Sequence, residues 1–158
     1  MRCAAVIIVV PMLVVSQAYA APSVLIGRGL SNTFVAESVC PENAICLDAF
    51  YRWEFMSTRT VAGPAISGHV RAVISQHVEA TPSFVRSVEL FVVTPIDDPA
   101  VRRTYGAEYF LLALSPRYKS GRYCVPMPLA EIGLADVSSE IIVDPDTGYH
   151  CISARSLR

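Results

Sequence analysis

Apolar residues recur at every second position over three stretches of this chain, which is the period of a half-buried β-strand. In residues 49–61, Tyr51, Trp53 and Phe55 fall on one face, with Arg52, Glu54, Thr58 and Thr60 on the other. In residues 66–78, Ile66, Val70, Ala72, Ile74 and Val78 share one parity, and His69, Arg71, Ser75 and His77 share the other. In residues 84–94, Phe84, Val88, Leu90 and Val92 mark the core face. Short breaks separate the three, at 62–65 and at Thr81-Pro82-Ser83. The pattern therefore predicts three strands in an antiparallel meander.

Downstream the pattern changes. Asp98 is placed to cap a helix whose first residue is Pro99, and Gly106 to end it. Residues 108–114 return to strand, and 121–125 add another. Leu129-Ala130-Glu131-Ile132 before Gly133 predicts a second short helical turn. Residues 140–143 and 149–153 form a closing hairpin across Asp144-Pro145-Asp146-Thr147-Gly148. Upstream, residues 21–39 lack a clear period and contain Gly27, Gly29, Ser31 and Asn32, so they read as an extended segment with at most one short strand. Residues 40–46 read as a loop from their Pro and Asn content. This order predicts a mainly β fold: a small antiparallel β-barrel of the OB-fold type with one or two short helices. A β-sandwich is the alternative.

The first 20 residues have a different character. Arg2 supplies a positive start, residues 4–15 are almost wholly apolar, and Ala18-Tyr19-Ala20 offers a cleavage site before Ala21. That apolar run is too short to span a bilayer, which takes about 20 residues. The 158-residue chain thus divides into a signal peptide at 1–20, an extended segment at 21–39 and one domain at 40–158. It is expected to be secreted or periplasmic, with no membrane span after cleavage. Cleavage removes one of the 13 basic residues and none of the 14 acidic ones, leaving a mildly acidic chain. No run of like charge suggests a nucleic-acid partner.

Cleavage also removes Cys3 and leaves Cys40, Cys46, Cys124 and Cys151. An even set in an exported chain predicts two disulfides. Proximity favours Cys40–Cys46 with Cys124–Cys151, because short loops close at lower entropic cost. A crossed pattern with longer loops is the rival, since it constrains the unfolded chain more. The Cys-x-x-Cys spacing of structural zinc sites is absent. No metal site or cofactor is expected.

The run from Phe55 to Pro64, the long second and third strands, Tyr109-Phe110-Leu111 in the fourth, and cysteines at both ends resemble the netrin/TIMP-like group of secreted OB-fold domains. The resemblance covers most of residues 40–151 and implies a barrel. In that family's metalloprotease inhibitors, the mature N-terminal residue is a cysteine that chelates the target's zinc. Here the predicted mature N-terminus is Ala21, so no inhibitory residue carries over.

Candidate chemistry is sparse. Even spacing would put His69, Arg71, Ser75 and His77 on one strand face, where they could contact an anion or another ligand. His69 and His77 would lie roughly 26 Å apart at about 3.3 Å per residue, too far to share a metal. Asp144, Asp146 and Gly148 resemble the start of a calcium loop, but Arg155 stands where its glutamate belongs, so a turn is expected. The Gly-x-Ser-x-Gly context of a serine hydrolase is missing, and no catalytic residue is assigned. Tyr51, Trp53 and Phe55 are expected in the core. The chain reads as a non-enzymatic binding domain for a protein or cell-envelope component. A small exported hydrolase with a site outside known motifs, or a protease-inhibitor-like protein, are the alternatives.

Overall fold

The alternation around Trp53 folds as expected, and the strand it forms is the spine of a barrel. The computed structural model describes residues 21–37, 48–134 and 141–157, so the export segment, Cys40 and Cys46 lie outside the described residues. Five strands form one mixed sheet: β1 (Ser23–Glu37), β2 (Ala49–Ala62), β3 (Gly68–Gln76), β4 (Val88–Pro95) and β5 (Tyr109–Pro116). Their order is β1-β2-β3-β5-β4, and β4 returns to β1, so the sheet closes on itself. The fold is mainly β with two short helices, α1 (Pro82–Ser87) and α2 (Pro99–Tyr105). Among the described residues, no helix is long and apolar enough to cross a membrane.

Three expectations need correction. First, residues 23–37 are not a loosely patterned segment but the longest strand, paired with β2 along its length and with β4 through Ser23–Ile26. Second, residues 84–87 are helical, and the strand begins only at Val88. Thr81 accepts from the Phe84 backbone N–H at 3.3 Å and Pro82 stands at the first helical turn, so the expected turn is a helix cap. Third, β4 does not extend the meander. It crosses to pair with β1 and β5, and β5 meets β3 in parallel. Val78, which shares the parity of Val70 and Ala72, lies beyond the end of β3 and is 72% exposed.

The other local signals hold. Asp98 Oδ1 accepts from the Ala100 N–H at 2.7 Å, and Gly106 ends α2 in the left-handed conformation at φ 59°. A 3₁₀ turn spans Leu129–Ile132. Strands β6 (Arg122–Val125), β7 (Ile142–Val143) and β8 (His150–Ser153) form a second sheet in the order β6-β8-β7. Cys124 lies directly opposite Cys151 in that sheet and is disulfide-bonded to it. This is one half of the proximity pairing.

Burial follows from these faces. Trp53, Phe55, Phe91, Val93 and Leu111 fill the barrel, with Phe55 and Phe91 stacked at a centroid distance of 3.9 Å. The stripe of Tyr51, Trp53 and Phe55 is thus core, as expected. A polar chain pins the barrel end: Trp53 Nε1 donates to Gln76 Oε1 at 3.1 Å, and Gln76 Nε2 donates to Asn32 Oδ1 at 2.9 Å. A second core joins the outer wall of the barrel (Val24, Leu90, Val92, Ala113) to the small sheet and the 3₁₀ turn (Tyr123, Val125, Ile132, Ile152).

Gly29 explains why β1 is hard to read. A methyl group there would overlap the Val85 carbonyl oxygen, because α1 lies close against the strand. The β1–β2 register also shifts between Gly29 and Ser31. Gly29→Ala is therefore expected to destabilise the fold by about 1–3 kcal/mol, as overpacking does; chemical denaturation measures it.

The second core contains a titratable group. Tyr123 is buried and its hydroxyl donates to Glu89 Oε2 at 2.7 Å. Burial, then the Glu89 hydrogen bond and charge, push its pKa up to about 12 from 10.0. The neutral phenol is the form the fold favours. Its stabilisation should be complete below pH 10 and lost as pH rises towards 12. Denaturation midpoints should fall across that window, and Tyr123→Phe should flatten the decline.

Candidate functional site

Strand β3 carries the residues that the alternation marked as a ligand face. His69, Arg71 and Ser75 do point outward and are exposed; His77 is exposed just past the strand's end. The four do not form one site. Val73, between Arg71 and Ser75 on the same face, is buried with Ile96 and Ala107. Phe50, Val101 and Tyr105 pack against that cluster, so the segment carrying α2 covers the middle of the face. His69 and Arg71 lie on one side of this cover and Ser75 and His77 on the other.

Each basic side chain on the face meets a carboxylate. His69 Nε2 is 3.2 Å from Glu54 Oε2, and Arg52 Nε is 3.3 Å from Glu54 Oε1. Arg71 pairs with Glu108, whose hydrogen bond and charge hold the guanidinium more firmly in its charged form. His77 Nδ1 is 2.7 Å from Asp48 Oδ1. The arrangement is a ladder of basic side chains set beside carboxylates, a different thing from an open anion cradle.

The acidic turn is a turn. Asp144 Oδ1 accepts from the backbone N–H groups of Asp146 and Thr147 at 2.9 and 3.2 Å, and Gly148 takes φ 70°. Among the described residues, no group of three or more His, Cys, Asp and Glu side chains is placed to hold a metal ion.

A different feature stands out on β5. Residues 109–114 are all apolar, so both faces of this strand need cover. Leu111 and Ala113 face buried clusters. Phe110 and Leu112 belong to neither cluster and remain 38% and 40% exposed. They floor a groove of about 500 Å³, with Pro22, Thr94 and Pro95 beside them. Asp97, in the link to α2, and Glu131, on the 3₁₀ turn, also line it. The apolar run was the one signal for this groove in the sequence, and it did not show which face would stay open. A larger groove of about 600 Å³ lies beside the Cys124–Cys151 bridge, lined mostly by the polar turn 144–147, Tyr118 and Tyr149.

The arrangement on β5 can bind but has no evident reactive group. Comparison with known proteins adds no analogy: no family model matches the chain, and no curated protein or solved structure matches it either.

The ion-pair ladder generates its own test. Both partners of the Arg71–Glu108 pair are more than two-fifths exposed. Glu108→Gln should therefore cost less than about 1 kcal/mol. The difference from the parent protein in chemical denaturation should shrink further with added salt.

Proposed function

We propose that this chain is an exported, non-enzymatic binding domain that docks a protein or cell-envelope partner on the open face of β5. The observation that carries this reading is the exposed pair Phe110 and Leu112, which floor a groove beside two carboxylates. Exposed apolar surface on a small domain marks interaction sites. The Cys124–Cys151 bridge fits an oxidising compartment, as does the apolar leader. His69 and His77 stand on either side of the α2 cover rather than converging, which weakens the hydrolase reading.

The test is quantitative binding of labelled protein to washed envelope and culture-supernatant fractions. Binding should saturate and be displaced by unlabelled protein. Absence of saturable binding in every fraction, together with turnover in a panel of ester, glycoside and peptide substrates, would give the hydrolase reading the field.

A further inference from the structure

The outer wall of the barrel is covered on two sides and bare between them. On one side, Val101 and Tyr105 of α2 pack over Val73. On the other, the 3₁₀ turn and the small sheet pack over Val24, Leu90 and Val92. The bare strip of Phe110 and Leu112 lies where neither cover reaches. Its rim carries Asp97 from the α2 side and Glu131 from the 3₁₀ side. Both are exposed, neither carboxylate has a hydrogen-bond or ion-pair partner among the described residues, and no basic residue lines the groove.

We infer that this groove receives a short segment of a partner protein in which apolar side chains are flanked by lysine or arginine. The inference rests on the binding-domain reading above and adds the chemistry of its occupant. Charge complementarity selects it. Apolar side chains seated on Phe110 and Leu112 leave neighbouring residues facing the two carboxylates, where a cation gains and an anion is repelled. The same two charges disfavour an anionic lipid surface.

Phe110 serves as a clean probe because its two roles are separable. Its backbone pairs with Val73 and Thr94 in the barrel, whereas its side chain faces solvent. A substitution can remove the apolar floor while keeping the strand. Asp97 and Glu131 lie outside all the strands, so their amides preserve the fold.

The experiment uses the purified protein and a fluorescent peptide with two adjacent leucines flanked by lysines. Its counterpart carries glutamate in place of lysine. Anisotropy should show saturable binding of the lysine peptide and at least tenfold weaker binding of the glutamate peptide. Phe110→Ser and Leu112→Ser should each weaken binding about tenfold or more, as expected for losing a buried apolar side chain. Asp97→Asn and Glu131→Gln should each weaken it about two- to fivefold, with a shallower salt dependence. Thermal unfolding of each variant establishes that the fold is retained.

Equal binding of the two peptides, or binding unchanged in all four variants, overturns the inference. So does tight association with anionic or zwitterionic vesicles that Phe110→Ser abolishes, which assigns the strip to lipid. Self-association that Phe110→Ser abolishes assigns it to a second copy of the chain. Saturable envelope binding that survives all four variants refutes the groove while leaving the binding-domain reading in place.

Discussion

The barrel closes through a short parallel seam, and everything outside it is arranged around that seam. A five-stranded sheet of this size must return to its first strand or leave unpaired backbone groups at its edges. Here β3 and β5 meet over two residue pairs, Ala72 with Tyr109 and Val73 with Phe110. Glu108 extends the seam by one step: its N–H donates to the Arg71 carbonyl at 3.0 Å, and its carbonyl accepts from the Ile96 N–H at 3.0 Å. Its carboxylate then grips the Arg71 side chain. Arg71, which alternation alone marked as a ligand contact, is thus tied to the closure of the sheet.

Parallel pairing needs a long connection, and the one from β3 to β5 runs through α1, β4 and α2. That link carries α2, and α2 lands on Val73 because the seam brings Val73 and Ala107 together. The C-terminal sheet docks on the opposite wall through Tyr123 and Ile152. Both covers are short. The open strip on β5 is what remains between them, so the candidate site follows from how far each cover reaches.

Legibility in the sequence tracks how local each cause is. Asp98, Pro99 and Gly106 specify α2 by chemistry within a single turn, and the expectation and the structure agree. The stripe of Tyr51, Trp53 and Phe55 needed only a period of two. Strand β1 was opaque because Gly27 and Gly29 meet the demands of close backbone approach from β2 and α1, contacts that no local pattern encodes. Thr81 and Pro82 carry the same signature in a turn and in a helix cap, so α1 was ambiguous. For the site, the apolar run at 109–114 was visible. Which face it would leave open depends on docking by segments far away in the chain.

Trp53 is the only tryptophan in the chain. It is buried in the barrel against Phe91, meets Phe84 of α1 edge-on, and gives its indole N–H to Gln76. None of those partners belongs to the C-terminal sheet, whose packing is confined to the other core. Intrinsic fluorescence is consequently a reporter of one half of the molecule. Its emission therefore follows the barrel interior, and a loss of the small sheet's docking around Tyr123 would leave its immediate surroundings in place.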